Sequence, residues 1–342
     1  MLIYLTSLVA TLLTCIFLIK NTVIISKPTE RGLHMSPTPS SGGLALLIGF
    51  SLIMIYEYTI TQNIDKLSII LVTFLVTIIG LMDDIFNVKK IIRFFSQLFL
   101  SFILILLIFN IDLFNAVLIA IIFVYFINTY NFMDGIDLLA TNQAIFICAS
   151  LIIHQFLLGP PINYIEHTYI SPITLIIILL GFYYFNFSPA KLFLGNSGSY
   201  FLGITLSIIF LDFILNNVIS IYEILILHSV FILDTGYTII RRFFHGIYNN
   251  LRLSKNTFIA SIRGSLILTT TAHCSHNYQI MSKNLNSHLR VSSYILFYNF
   301  LWCLPLSLLS AVIPKFSFII MLVCFLPYIY LCIINNPGAN DD

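Results

Sequence analysis

The chain has 342 residues, of which 59% are hydrophobic and only 9% are charged, and its formal net charge is +2. Soluble globular domains carry about a quarter charged residues, so this composition excludes a soluble domain of this length. The six cysteines form no CxxC pair and no metal-type spacing, and we expect reduced structural thiols. The composition predicts an all-α, polytopic integral membrane protein.

Apolar runs that are long enough to cross a bilayer recur from one end of the chain to the other. They cover residues 2–19, 43–60, 67–82, 91–109, 114–127, 138–158, 173–187, 200–215, 221–240, 291–313 and 316–334. We therefore expect a single polytopic membrane domain over residues 1–342, with about eleven transmembrane helices. The first run lacks a basic flank and a small-residue cleavage site, so we expect a retained helix and not a signal peptide.

The distribution of positive charge predicts the orientation of these spans. When they alternate, 14 of the 16 Lys and Arg residues fall on one side, and only Lys66 and Lys315 fall on the other. Loops that face the cytoplasm carry the excess of Lys and Arg. This pattern predicts an N-terminus outside and a C-terminus in the cytoplasm.

The polar motifs all fall in loops that this orientation places on the cytoplasmic face, namely loops 20–42, 83–92, 128–137, 186–199 and 241–290. Carboxylates, lysines and histidines are costly in so apolar a chain unless they line a wet cavity or a site. Their convergence on one face favours a membrane enzyme with membrane lipids around it. We expect no nucleic-acid partner.

The first loop ends in Gly42-Gly43 after a stretch that is rich in Pro and Ser. A plain turn between helices is the better interpretation of this loop alone, although paired glycines also let backbone amides approach a phosphate or another helix. In the second loop Asp83 and Asp84 repel each other unless a proton or cation intervenes. Magnesium binds through one or two carboxylates plus substrate phosphates, whereas the alternative is a solvated helix end.

The third loop brings two amides and two acids, Asn128, Asn131, Asp134 and Asp137, into ten residues between apolar spans. The two acids share a face if the turn is helical, and Gly135 gives the backbone freedom to bend between them. A polar connector is the alternative, and we favour a site.

The fourth loop places Lys191 just before Gly195-Asn-Ser-Gly-Ser at the start of a span. Its amides and hydroxyls are suited to a phosphate, although the Gly-Lys-Ser/Thr ending of a P-loop is absent. The fifth loop contains His273 and His276, which are suited to act as metal ligands, phosphate donors or a base. Asp234 lies near the inner end of the ninth span, and Arg241 or Arg242 is its predicted partner.

Together, in this order from His34 to His288, the loops resemble the polyprenyl-phosphate N-acetylhexosamine-1-phosphate transferases of glycosyltransferase family 4. That family includes phospho-MurNAc-pentapeptide translocase and the undecaprenyl-phosphate GlcNAc-1-phosphate transferases. The most specific matches are Asn-Phe-Met-Asp-Gly-Ile-Asp at 131–137 and Pro-Ala-Lys-x-Phe-x-Gly-x-x-Gly-Ser at 189–199. Residues 273–288 are more similar to the O-antigen-type branch than to the pentapeptide translocase.

The resemblance implies that sugar-1-phosphate passes from a UDP-N-acetyl sugar to polyprenyl phosphate, giving polyprenyl-diphospho-sugar and UMP. This would be the first lipid-linked step of O-antigen or wall-polymer synthesis, at the cytoplasmic face of the bacterial inner membrane. It also implies a requirement for Mg²⁺, with Mn²⁺ as the alternative ion, and it leaves a homodimer open.

The same resemblance implies roles for individual residues. The catalytic set would be Asp83, Asp84, His273 and His276. The substrate-binding set would be Arg93, Asn128, Asn131, Asp134, Asp137 and Lys191. Asp84 and Asn196 would hold the metal.

The chain departs from the family pattern at four positions. Asn196 stands where the family has a metal-binding aspartate, Asn87 occupies an often acidic position, Leu138 replaces a frequent glycine, and Cys274 replaces a frequent arginine. These changes motivate one alternative, a catalytically impaired paralogue that only binds. A transporter or flippase is a weaker alternative, because the polar groups cluster at one face and no internal repeat is present.

Overall fold

The computed structural model of the protein describes residues 2–22, 24–26, 37–158, 168–254 and 275–338, with side chains up to residue 248 in the fourth range. The helices in these ranges are α1 (Leu2–Lys20), α2 (Gly42–Thr61), α3 (Asp65–Phe86), α4 (Lys90–Ile108), α5 (Leu113–Met133), α6 (Leu139–Leu157), α7 (Pro172–Asn186), α8 (Gly195–Leu215), α9 (Ile221–Leu227), α10 (Ser229–Ser254), α11 (Asn277–Leu285), α12 (His288–Tyr298), α13 (Leu304–Val312) and α14 (Ser317–Asn335). A π-helical turn, Asn299–Cys303, joins α12 to α13, and a 3₁₀ turn, Pro314–Phe316, precedes α14. Two short strands, β1 (Ile25–Ser26) and β2 (Thr38–Pro39), pair antiparallel.

Within the described ranges, nine helical segments are long and apolar enough to cross a membrane. The bent pair α9 and α10, which meet at 78°, would form a tenth span, and α7 is a shorter apolar helix. Each of the eleven apolar runs overlaps one of these elements. The prediction of an all-α, polytopic membrane protein is confirmed, while the number of spans and the orientation of the termini stay predictions.

The first helix shows the polarity that is typical of a protein in lipid. Its exposed stripe is apolar, whereas its buried face contains Ser7, Thr11 and Cys15. The Ser7 hydroxyl donates a hydrogen bond of 2.7 Å to the carbonyl oxygen of Gly49 in α2. Small and polar residues are enriched between helices in membranes, because lipid already solvates the apolar ones and close packing drives association.

Helix α8 lies at the centre of the bundle, where it packs against α2, α3 and α5. Its residues 197–213 are all buried. A side chain at Gly203 would overlap Ile127 of α5, and one at Gly43 in α2 would overlap the backbone nitrogen of Gly198. Glycines therefore allow the backbone of α8 to approach its neighbours closely, and this sets where the start of α8 lies.

One of the two basic residues predicted to lie outside is buried in an ion pair. The Lys66 ammonium is 2.8 Å from Glu57 Oε2 and donates to the carbonyl oxygens of Thr168 and Tyr169. A buried charge requires such partners. Lys66 is at the start of α3, at the opposite end of that helix from Asp83 and Asp84.

The turn between α5 and α6 is not helical, so Asp134 and Asp137 do not share a helix face as a helical turn would require. Leu138 takes the left-handed conformation in this turn, with a φ of 66°. Glycine adopts this conformation without steric cost, which is a physical reason for the glycine that the resemblance leads us to expect here. Gly135 lacks a left-handed φ, and its role is steric, because a side chain there would overlap the Tyr278 hydroxyl.

Candidate active site

The predicted carboxylate pair lies in the last turn of α3, against the first turn of α8. Asp84 accepts hydrogen bonds from the backbone N–H groups of Asn196, at 3.3 Å, and Ser197, at 3.4 Å. The first amides of a helix have no partner within the helix, and the helix dipole favours negative charge there. The N-terminus of α8 therefore stabilises the ionised form of a carboxylate that belongs to another helix.

Two glycines permit this approach. A Cβ atom at Gly80 would be only 2.5 Å from the carbonyl oxygen of Asn196. Gly195 has a φ of +72°, and a Cβ atom there would be 3.0 Å from Asp84 Oδ2. A larger residue at either position would push the start of α8 away from Asp84.

Asp83 is held by a different set of groups. Its Oδ2 atom forms an ion pair with Arg93 of α4 and accepts a 2.7 Å hydrogen bond from the side-chain amide of Asn196. The Tyr200 hydroxyl accepts a 3.3 Å hydrogen bond from Arg93. The sequence contained no signal for Tyr200, because one tyrosine within an apolar span is indistinguishable from core packing.

The Asn196 side chain joins three helices. Its amide nitrogen donates to Asp83, and its Oδ1 atom accepts a 2.6 Å hydrogen bond from Asn131 at the end of α5. Asn131 also donates to the Ser199 hydroxyl at 3.2 Å. Both ends of the Asn196 amide are therefore used in contacts within the protein, and the structure brings together Asp83, Asp84, Arg93, Asn131 and Asn196.

The two acids of the turn after α5 have opposite electrostatic environments. Burial raises the pKa of Asp134 well above its usual value, and the negative charges of Asp84 and Asp137 raise it further. Burial also raises the pKa of Asp137, but hydrogen bonds from His288, Ser188 and the Ala190 amide outweigh it, so the resulting pKa is lowered. The surroundings of Asp137, with His288 Nδ1 at 3.3 Å, thus favour its negative charge, whereas a bound cation would offset the burial and repulsion at Asp134.

His276 lies at the start of α11 beside a buried carboxylate. Its Nδ1 atom is 3.0 Å from Asp234 Oδ1. Its ring stacks against Phe132 in α5 and against Tyr278, with centroids 6.1 and 5.9 Å away. The sequence predicted Arg241 or Arg242 as the partner of Asp234. The hydrogen bonds that Asp234 accepts come instead from residues at the start of α11 and from α14.

Two predicted site residues have other surroundings, and a third is not described by the structure. The Asn128 amide donates to Gln97 Oε1 at 2.9 Å, one turn away from Asn131. The Lys191 ammonium is exposed and lies 5.2 Å from the centre of the Tyr184 ring. His273 lies outside the described residues, as do 27–36 of the first loop and Cys274.

The described end of the first loop packs on the fourth loop. The Phe193 amide donates to the Pro39 carbonyl oxygen at 2.8 Å, and the amides of Gly42 and Gly43 donate to Phe193 and Leu194. These two glycine amides therefore bind another backbone segment of the protein. That segment, Phe193-Leu194, leads directly into α8.

The carboxylates of this site can be compared with the ligands that a divalent cation requires. In the described part of the chain, no three His, Cys, Asp or Glu side chains are grouped to hold a metal by themselves. Asp84 and Asp134 nevertheless lie close enough for their charges to repel, and of the Asp83–Asp84 pair only Asp83 has a basic partner among the described residues. Magnesium usually takes one or two carboxylates and completes its shell with waters and substrate phosphates. The residues present fit a cation that is held jointly with a substrate phosphate.

Comparison with known proteins finds relatives that share this part of the chain. Residues 66–214 match the model of glycosyl transferase family 4. The chain is 29% identical over 236 residues to a probable undecaprenyl-phosphate N-acetylglucosaminyl 1-phosphate transferase of Bacillus subtilis, covering 64% of each protein. It is 33% identical over 201 residues to a phospho-N-acetylmuramoyl-pentapeptide-transferase of Staphylococcus carnosus, covering 50% of this chain and 61% of the relative.

A third relative is a putative UDP-N-acetylglucosamine–dolichyl-phosphate N-acetylglucosaminephosphotransferase of Sulfolobus acidocaldarius, 30% identical over 185 residues, covering 48% of this chain and 56% of the relative. All three matches thus span less than two thirds of the relatives' own length. The family match includes the carboxylate pair of α3, the polar end of α5 and the start of α8, which are the elements that meet in the site. Over residues 66–214, the part of the chain that forms this site, the protein is similar to glycosyl transferase family 4.

Proposed function

We propose that the protein transfers N-acetylhexosamine-1-phosphate from a UDP-sugar to a polyprenyl phosphate, with release of UMP. The observation that carries the proposal is the cluster at one end of the bundle, where the Asp83–Asp84 pair meets the N-terminus of α8. The names of the relatives support the same reaction class, because all three describe transfer of a phospho-sugar.

In the proposed reaction an oxygen of the lipid phosphate attacks the β-phosphorus of the UDP-sugar. A new phosphorus–oxygen bond forms, the bond from the β-phosphorus to the bridging oxygen breaks, and UMP leaves with that oxygen. The two reactants are anions that repel each other, so the main task of the protein is positioning and charge stabilisation.

Four residues in or beside the cluster have proposed roles. Asp84, held by the amides of α8, would orient the lipid phosphate or accept its proton. Arg93 lies beside Asp83 at the start of α4, where it would bind a phosphate oxygen. Asn131 and Asp137 would line the nucleotide side.

We propose Mg²⁺ as the cofactor, with Mn²⁺ as a substitute. Asp84 and Asp134 would hold it together with the substrate phosphates, and the bound ion would supply positive charge to the phosphate oxygens. The distribution of Lys and Arg supports a site that faces the cytoplasm from a bacterial inner membrane. A membrane location suits the reaction, since the acceptor's tail stays in the bilayer.

The test is UMP release by purified protein in detergent or nanodiscs, with polyprenyl phosphate and a panel of UDP-N-acetyl sugars. We expect UMP and product lipid with at least one sugar, and loss of both when EDTA removes divalent ions. A protein that binds a UDP-sugar but releases no UMP with any of them would instead be a binding-only paralogue. The engagement of both ends of the Asn196 amide within the protein is the observation that motivates this second candidate.

A further inference from the structure

A buried carboxylate outside the cluster organises the fifth loop. Asp234 of α10 is fully buried, and its two oxygens accept four hydrogen bonds. Oδ1 accepts from His276 Nδ1 and the Asn277 amide, both at 3.0 Å. Oδ2 accepts from the Tyr278 amide and the Tyr328 hydroxyl, both at 2.9 Å. This set of donors compensates the cost of burying the charge.

Building on the proposed function, we propose that Asp234 is a positioning residue that sets the orientation and tautomer of His276. A carboxylate only accepts hydrogen bonds, so the ring nitrogen that faces it carries the proton. In the neutral ring this makes Nδ1 the donor and Nε2 the acceptor. Stacking between Phe132 and Tyr278, at interplanar angles of 26° and 24°, holds the plane of the ring.

Asp234 also connects His276 to the turn that contains the predicted nucleotide residues. The Tyr278 hydroxyl donates a 2.9 Å hydrogen bond to the carbonyl oxygen of Phe132, which directly follows Asn131. Gly135 leaves space for that hydroxyl. Because Asp234 binds the first two amides of α11, one carboxylate determines both the ring of His276 and the contact of α11 with this turn.

The neighbouring Tyr328 provides a way to separate positioning from folding. Tyr328 of α14 binds Oδ2, whereas His276 binds Oδ1. Removing the tyrosine hydroxyl takes one donor from the carboxylate and leaves the histidine contact intact. The variant Tyr328→Phe is therefore a matched control for Asp234→Asn, since both disturb the same buried group.

The kinetic test compares Asp234→Asn, His276→Gln, the double variant and Tyr328→Phe for UMP release. We expect Asp234→Asn to lower kcat about 100-fold with a smaller change in the KM for UDP-sugar, because a misplaced group costs about this much. The double variant should be no slower than His276→Gln alone, and Tyr328→Phe should stay near the parent. Multiplying effects in the double variant, or equal losses in Asp234→Asn and Tyr328→Phe, would overturn the inference.

A second measurement does not depend on activity. The ¹⁵N chemical shifts of histidine-labelled parent protein, assigned by difference from His276→Gln, report which ring nitrogen of His276 carries the proton. We expect protonated Nδ1. A His276 ring protonated only at Nε2 would refute the role of Asp234, even if UMP is released. Protonated Nδ1 in a protein that releases no UMP would refute the proposed function and leave the Asp234 contact standing.

Discussion

The side-chain amide of Asn196 donates a 2.7 Å hydrogen bond to Asp83 Oδ2, across 113 residues of sequence. The other end of the same amide accepts from Asn131 at 2.6 Å. An aspartate at this position would place two negative carboxylates at hydrogen-bond distance, and such a pair is stable only with a proton or a cation between them. The asparagine thus links α3, α5 and α8 through hydrogen bonds.

We expect Asn196→Asp to make the stability of the protein depend on divalent ions. In EDTA the variant should lose about 1–3 kcal/mol, the usual cost of a buried acceptor without its donor, and millimolar Mg²⁺ should restore much of this loss. Thermal unfolding in detergent, with and without Mg²⁺, measures the effect, and activity with Mg²⁺ should equal or exceed that of the parent. In the control Asn128→Asp the amide faces Gln97, and Mg²⁺ should not restore stability. Equal unfolding temperatures of Asn196→Asp in EDTA and Mg²⁺ would contradict the prediction.

We expect Asp84→Asn to reduce turnover about 100-fold or more while the protein still accumulates in the membrane. The carboxylate lies at the N-terminus of α8, and loss of an acid–base or orienting group costs about this factor. UMP release normalised to purified protein measures it. Asp212→Asn is the matched control, because Asp212 is a buried carboxylate that lies near the far end of α8. An Asp84→Asn variant that turns over like the parent would remove this carboxylate from the mechanism.

We expect Gly80→Ala to lower the rate of UMP release strongly, although the substitution adds only one methyl group. The added methyl group would lie 2.5 Å from the Asn196 carbonyl oxygen and would displace the amides that bind Asp84. Gly236→Ala in α10 is the control, since a Cβ atom at this position would meet no neighbouring group within 4 Å. Alanine is favoured over glycine in a helix by about 1 kcal/mol, so this control should be neutral or stabilising. Similar losses of UMP release in both variants would show that the close approach of α3 and α8 is not needed.

We expect Gly135→Ala to weaken binding of the UDP-sugar, because the new methyl group would overlap the Tyr278 hydroxyl and move α11 from the turn after α5. Tyr278→Phe removes that hydroxyl and its hydrogen bond to Phe132. The double variant should therefore bind better than Gly135→Ala alone, although less well than the parent. Isothermal titration with UDP-sugar measures all four proteins. If the second substitution brings no recovery, the steric explanation is wrong.

We expect opposite accessibility at the two ends of the bundle. In a background without reactive cysteines, Gln62→Cys between α2 and α3 should react with a membrane-impermeant maleimide in intact cells. Lys283→Cys, at the end of α11, should react only after the membrane is opened. Both positions are exposed in the structure. Reaction of Lys283→Cys in intact cells would reverse the predicted orientation and place the site outside.

Much of the architecture was predictable because lipid imposes a strict rule on the backbone. With no water to bind its amides and carbonyls, an apolar run of about 20 residues in a membrane must be helical. Each of the eleven apolar runs therefore overlaps one helix or a series of consecutive helical elements. Polar groups such as Asp83-Asp84 and Asn131 were conspicuous in the sequence, because such groups are costly in a membrane unless they line a site or a water-filled cavity.

Contacts between residues that are far apart in the sequence were not predictable in the same way. The pairing of Asp234 with His276 depends on how α10, α11 and α14 pack, and the nearby arginines were the better guess from sequence distance alone. The steric need for Gly135 likewise comes from Tyr278, a residue in another loop.

The sequence by itself determined which segments are helices and which polar residues gather at their ends, because hydropathy and backbone hydrogen bonding act within each segment. Only the tertiary structure decided that the amide of Asn196 bridges Asp83 and Asn131, and that the first amides of α8 bind Asp84. Those contacts depend on helix approach to within a hydrogen-bond length, which glycines such as Gly80 permit and which no periodicity along the chain encodes.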